Sequence, residues 1–243
     1  MLIICCLLFI VHYLLLILLF NNKKNRIAKM KKALYILCAV VCILLAVFFY
    51  FKITGKSSEK TSRFDIPEEA RNIIAEKYIA IMADNGMTIN EGKNPPDIQG
   101  IFATDSLELF YTSLENDLAI GYKVPSYRYK FYGQDGIQVK TDYIQEAPSS
   151  DDNVTGKGTA LSGSGNKFTA YIEQKGSAKG ATYRQATVLS GEITPQGIKD
   201  FQWGFCILEK EDPDNKLMQV GGVRIWKDKG KLAKKKTKFP YGD

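Results

Sequence analysis

Between residues 167 and 226 apolar and polar side chains alternate in four successive runs. KFTAYIEQ sets Phe168, Ala170 and Ile172 against Thr169, Tyr171 and Glu173. TYRQATVLSGEI is long and rich in β-branched and aromatic residues, and FQWGFCILE puts Phe201, Trp203, Phe205 and Ile207 on one face. LMQVGGVRIW closes the series. A period of two means half-buried strands, because successive side chains point to opposite faces. The joining segments QKGSAKGA, TPQGIKD and EKEDPDNK are short and polar, which makes the neighbours antiparallel, since parallel strands need long crossovers. Such a meander must bury one face against a partner sheet or by closing on itself.

The same pattern, more weakly, predicts strands at GIFA from Gly100 and at 107–111, 118–122, 127–132, 137–144 and 157–162. Ahead of them the period changes. Ile66, Ala70, Ile73, Ile74, Tyr78, Ile81 and Met82 form one apolar stripe, which predicts a single helix over 65–86. Asp65 is its expected cap, Pro67 lies in its first turn, Glu68 and Glu69 suit the positive helix end, and Gly86 stops it. The lysine run 227–238 lacks any apolar period and is expected to be a mobile extension or free tail.

The first 51 residues carry no such alternation. Residues 1–20 are almost continuously apolar, 21–32 (NNKKNRIAKMKK) form a basic loop, and 33–51 contain no charge. Each apolar run can span a bilayer, and the basic loop is expected to stay in the cytoplasm. With Met1 as the start the chain has a two-span hairpin. With Met30 as the start, Met30-Lys31-Lys32 and the following apolar run form a bacterial signal-anchor, which is the reading we prefer. Both put residues 52–243 outside the cytoplasm, at an inner membrane and on its periplasmic side. Phe48, Phe49, Tyr50 and Phe51 offer no small-residue cleavage site, and neither Cys38 nor Cys42 follows small residues as a lipidated cysteine would. A retained anchor is therefore expected over cleavage or lipidation. The expected layout is an anchor over 1–51, a linker over 52–64, the helix, a β domain over 94–227 and a basic tail over 228–243.

Charge changes this picture little. The net charge of +7 comes from the two ends, and residues 52–226 hold 20 basic and 24 acidic residues. The β domain is thus not a basic nucleic-acid binder. Among five cysteines only Cys206 follows residue 51, so a disulfide framework is excluded there, and the single histidine is His12. Without histidine the domain has no Ser-His or Cys-His nucleophile and lacks the usual zinc ligand. SGSGN at 162–166 does not fit a nucleophile elbow, and GKGTALSG does not fit a phosphate loop. EDPDN at 211–215 lacks the spaced Glu of a calcium loop and reads as a hairpin tip. Cys206 alternates away from the Phe201–Ile207 face and reads as a small packed residue. No catalytic residue, metal or cofactor is expected.

The segments PPDIQGIF, GKGTALSGSGNKFTAYIE, ATVLSGEIT, GIKDFQWGF and VGGVRIWKD, from Asn94 onward, resemble uncharacterised lipocalin-like envelope proteins of Bacteroidales. The resemblance covers about 140 residues, and it implies an all-β calycin/lipocalin-like antiparallel β-barrel with one N-terminal amphipathic helix, preceded by one or two transmembrane helices. Calycins share a Gly-x-Trp on the first strand and an Arg on the last whose guanidinium stacks on that Trp. Gly100, Phe102 and Arg224 stand at the matching places, with Phe where the superfamily has Trp. The resemblance therefore implies that Arg224 and Phe102 close one end of the barrel. Aromatics are the one positive functional signal. They are either barrel core or the wall of an apolar cavity, for which Tyr183, Phe201, Trp203 and Phe205 are the candidates. The expected function is a non-enzymatic module binding a small apolar or amphipathic ligand. The alternative is an envelope protein–protein interaction or inhibitor domain with a filled barrel.

Overall fold

In the computed structural model, residues 62–147 and 153–240 are described, with side chains described throughout except at 153–158. The anchor and linker expectations, and residues 148–152 of the polar loop, lie outside them. No helix among the described residues is long and apolar enough to cross a membrane.

Among the described residues, eleven strands follow two short helices. The helices are α1 (Glu68–Ile73) and α2 (Glu76–Asp84). The strands are β1 (Gly100–Ala103), β2 (Leu107–Thr112), β3 (Lys123–Val124), β4 (Tyr127–Asp135), β5 (Gln138–Gln145) and β6 (Asn153–Ser164). Then come β7 (Lys167–Ala178), β8 (Ala181–Thr194), β9 (Gly197–Glu211), β10 (Val223–Asp228) and β11 (Leu232–Lys236). Each named strand pairs antiparallel with its neighbours, and the alternating stretch 167–226 forms the meander β7–β8–β9–β10. The segment 118–122, expected as a strand, belongs instead to the loop between β2 and β3.

The sheet runs β11-β1-β4-β5-β6-β7-β8-β9-β10-β2-β3, and β11 pairs with β9 as well as β1. β9 is long enough to serve two neighbours along one edge. Its residues Gln202 to Cys206 pair with β10, while Gly197 to Lys199 pair with β11. Two bends make this possible, at residues 104–106 between β1 and β2 and at 229–231 between β10 and β11. Asp228 ties them together, with its Oδ1 accepting from the Asp105 and Gly230 backbone amides at 3.1 and 2.9 Å. The Lys229 amide adds a bond to the Ser106 carbonyl.

The lysine-rich end is therefore not a free tail. Ala233 is fully buried, and Lys234, Lys235 and Lys236 alternate along β11 opposite Ala103, Phe102 and Ile101. Lysine-rich sequence tolerates this because the backbone supplies the pairing and the ammonium groups stay in water.

Apolar residues fall into two layers. On the inner face of the sheet, Phe102, Tyr129, Phe131, Phe168 and Phe201 are buried together. On the outer face of β6 to β10, Tyr171, Val188, Cys206, Val223 and Ile225 lie beneath Ile74, Ile79, Met82 and Met87. The expected single helix is two, because Ile74 turns extended (φ −137°, ψ 127°) and enters this outer core. Pro67, not Asp65, occupies the N-cap position, with no side-chain cap. Gly204 lets the methionines approach, since a Cβ there would stand 2.7 Å from Met87 Sδ. The segment after α2 is strapped to the sheet by polar side chains. Gln202 accepts from the Thr88 amide at 2.7 Å and donates to the Gly86 carbonyl at 3.1 Å. Asn90 is held at Thr169 and Phe168, and Ser162 donates to its carbonyl.

Gly197 tests the β9–β11 junction. It has φ +149°, and a Cβ there would lie 2.1 Å from the Ala233 carbonyl oxygen. Gly197→Ala should cost about 3 kcal/mol, or roughly 6–12 °C in Tm for a domain of this size. An unchanged thermal melt would mean that β11 does not dock as described.

Candidate ligand cavity

The inner face is built by aromatic residues at every second position. β4 contributes Tyr127, Tyr129 and Phe131, and β9 contributes Phe201, Trp203 and Phe205. Alternation sends each set inward, and the register decides what it meets: Trp203 stands opposite Trp226 of β10. The interior then divides along its length. At the end bounded by β1 and β11, Tyr129 packs on Phe201 with ring centroids 5.2 Å apart and on Phe131 at 6.2 Å, and Phe102 packs on Phe131 at 6.0 Å. This half is filled.

The other half is not. A cavity of about 510 Å³ opens there, walled by Tyr127, Tyr143, Tyr183, Trp203, Phe205 and Trp226. Its rings brace one another: Trp203 stacks on Phe205 at 4.9 Å and on Trp226 at 6.1 Å, and Tyr127 leans on Trp203 at 5.1 Å. Leu118 and Tyr122 from the β2–β3 loop, and Leu217 and Met218 from the β9–β10 loop, line the same cavity. The volume falls within the range of small-molecule sites, and the aromatic wall is interrupted by polar side chains, Lys123, Gln145, Lys179, Gln185, Lys216 and Arg224.

Polar groups in the wall are largely committed. Gln185 donates to Gln174 Oε1 and Thr187 Oγ1, each at 3.0 Å, and lies 3.4 Å from the Tyr143 hydroxyl. Thr187 completes the set by donating to Gln174 Oε1 at 2.7 Å. Gln145 donates to the Tyr127 hydroxyl at 3.0 Å. The indole N–H groups of Trp203 and Trp226 are buried and have no acceptor among the described residues.

The structure sorts the residues chosen from sequence. Tyr183, Trp203 and Phe205 line the cavity together. Phe201 does not. It is almost fully buried against Tyr129 in the filled half, two positions further along the same inward face. Gly100 and Phe102 also belong to the filled half. Gly100 has φ +145°, and a Cβ there would sit 3.1 Å from the Phe102 ring.

Arg224 is not the partner of Phe102. It lines the cavity at the opposite end, where its Nε donates to Asp117 Oδ2 at 2.8 Å and its Nη2 to Oδ1. Thr112 also donates to Asp117. A bidentate carboxylate satisfies the guanidinium better than an aromatic face, and the β2–β3 loop brings one within reach. Burial pushes the Asp117 carboxyl up, but hydrogen bonds from Arg224, Thr112 and the Leu118 backbone outweigh it and hold it at about 2. Sequence reasoning missed Asp117 because SLENDLAIGY carries no period that marks one acid as buried.

Other candidates resolve as expected or as turn chemistry. Cys206 is buried on the outer face, and burial pushes its thiol up to about 12, so it is no nucleophile at neutral pH. In EDPDN, Asp212 accepts from the Lys216 and Leu217 amides, each at 2.8 Å, and from Lys210 Nζ at 2.9 Å. That carboxylate is occupied in organising the hairpin. Among the described residues no group of three or more His, Cys, Asp or Glu could hold a metal ion.

No family model, curated protein or solved structure matches the chain.

The Arg224–Asp117 pair should give the domain an acid-sensitive rim. A carboxyl held below its ordinary 3.8 stabilises the fold fully above that value, and the contribution is lost as pH falls through about 2. Asp117→Asn should cost about 2 kcal/mol at neutral pH in urea melts. The gap to wild type should narrow as pH drops from about 4 to about 2. A gap constant across that window would show that Asp117 is not held as a carboxylate.

Proposed function

We propose that residues 94–240 form a lipocalin-like β-barrel that binds a small apolar or amphipathic ligand without catalysis, outside the cytoplasm, on a membrane anchor supplied by residues 1–51. The observation that carries the reading is the 510 Å³ cavity walled by aromatic side chains. The barrel is supported by the circuit of pairings through β1, β4, β5, β6, β7, β8, β9 and β11, in which β4 to β9 each pair with the next strand in sequence. About eight strands is the size at which a barrel interior holds one small ligand. Binding rather than catalysis is supported by the chain's single histidine, His12, lying in the N-terminal apolar run, and by the inaccessible thiol of Cys206.

The second reading, an envelope interaction or inhibitor domain, draws on Ile120, Tyr122 and Val220. These are the exposed large hydrophobics among the described residues, and they lie on the β2–β3 and β9–β10 loops. A partner gripping these loops would not need the cavity.

Residues 62–243 form a compact unit of their own, so they can be tested without the anchor. Mass spectrometry of this unit, purified under native conditions, should find one small molecule per chain. The chain's two tryptophans, Trp203 and Trp226, both line the cavity, so loading should also change intrinsic fluorescence. Trp203→Leu should weaken binding about tenfold by removing the stacked wall. An empty domain that ignores lipid extracts, yet captures an envelope protein through Ile120 and Val220, would favour the second reading.

Localisation is tested separately. A reporter active only in the cytoplasm, fused after Asp243, should stay silent, because the basic 21–32 segment is retained inside. Bright cytoplasmic activity would reverse the topology.

A further inference from the structure

We infer that the outer face of β11, β1, β4 and β5 is a docking surface for anionic phospholipid headgroups, separate from the cavity. The strand register assembles it. Lys236 stands opposite Ile101 and Ile101 opposite Lys130, while Lys234 stands opposite Ala103 and Ala103 opposite Arg128. Residues directly opposite one another share a face of the sheet. Alternation turns Tyr127, Tyr129 and Phe131 inward, so Arg128, Lys130 and Tyr132 point outward, and Lys140 stands opposite Tyr132. The four strands carry Arg128, Lys130, Lys140, Lys234, Lys235 and Lys236 against two acids, Asp135 and Asp142. Residues 52–226 hold more acids than bases, so this face is basic against the trend of the domain.

Most of that charge is not spent within the protein. Arg128 is paired with Glu146 and donates to the Lys238 carbonyl. Lys130, Lys140, Lys234 and Lys236 have no ion-pair partner among the described residues. Asp142, opposite Lys130, lies 3.5 Å from the Tyr132 hydroxyl instead. The apolar layer beneath the helices is built on β6 to β10 and does not extend over this face. Three features favour a bilayer over an acidic protein or a nucleic acid. The unpaired cations are lysines, point charges that suit a diffuse layer of headgroups, whereas arginine forks suit single carboxylates or phosphates of fixed geometry. Ile101 and Tyr132 lie half-buried among them, and tyrosine is a residue of membrane–water interfaces. The anchor proposed for residues 1–51 would keep the domain at a bilayer, where each lysine near an anionic surface adds to the attraction.

The test is co-sedimentation of residues 62–243 with vesicles. The domain should bind vesicles of mixed phosphatidylglycerol and phosphatidylcholine, ignore vesicles of phosphatidylcholine alone, and bind severalfold more weakly in high salt. The triple variant Lys130→Gln, Lys140→Gln, Lys236→Gln should lose about tenfold or more in affinity. Lys93→Gln, Lys167→Gln, Lys175→Gln removes the same charge from exposed positions elsewhere and should lose less than about twofold. Asp142→Asn should bind more tightly, a gain that misfolding does not produce. Equal losses in the two triple variants, or no binding to the mixed vesicles, would overturn the docking face. Binding of polyglutamate or duplex DNA as tightly as the vesicles, through the same three lysines, would assign the face to an acidic protein or a nucleic acid and overturn the lipid. The anchor is absent from the assay, and none of Lys130, Lys140 and Lys236 lines the cavity, so failure here leaves both earlier readings standing.

Discussion

Everything in this domain depends on β9 having more neighbours than one strand edge ordinarily serves. Its full length pairs with β8 on one side, while its other side is shared between β10 and β11. That sharing forces β10 and β11 apart at residues 229–231 and obliges β1 and β2 to diverge at 104–106. Backbone groups in such bends cannot all find ladder partners, and unpaired buried groups are costly. Asp228 resolves this by accepting from both bends at once. Burial raises its carboxyl above the ordinary value, a sign of the desolvation that accompanies the position.

Because β11 pairs with both β1 and β9, side-chain alternation has a different meaning on each face of the sheet. Inward positions must be large on β4 and β9 to fill the middle, and they are Tyr, Phe or Trp. Outward positions on β6 to β9 must be small where the helices approach, as Ala160, Ala186 and Gly204 are. One strand, β9, carries both demands in alternate residues. This is why a single-residue slip would put its tryptophan under the helices and its glycine in the interior.

The meander was legible because alternation over a dozen residues is a strong and local signal. So was the inward face of β9, and with it Trp203 and Phe205. What failed was whatever depended on contacts between distant segments. The lysines of β11 look like a solvated tail because its stability comes from backbone pairing with β1 and β9, which leaves no apolar mark except Leu232 and Ala233. The helix divides at Ile74 because the sheet beneath it, not its own periodicity, decides where that side chain goes. Phe201 and Trp203 share one periodicity, and only their depth along the strand separates filler from wall. Arg224 was placed on the right strand but given the wrong partner, because the carboxylate that claims it sits in a loop with no pattern.

The two ends of the interior are fastened by different forces. One is sealed by Phe102, Phe131, Phe168 and Phe201, whose separation would expose a whole apolar cluster to water. The other is rimmed by a loop held to the strand wall by the Asp117 carboxylate, its Arg224 partner and a short list of backbone bonds. Openings of low free energy concentrate where few apolar contacts must be broken. The rim at Arg224 therefore loosens at lower cost than the phenylalanine cluster, so amide exchange should run fastest there while the frame still stands.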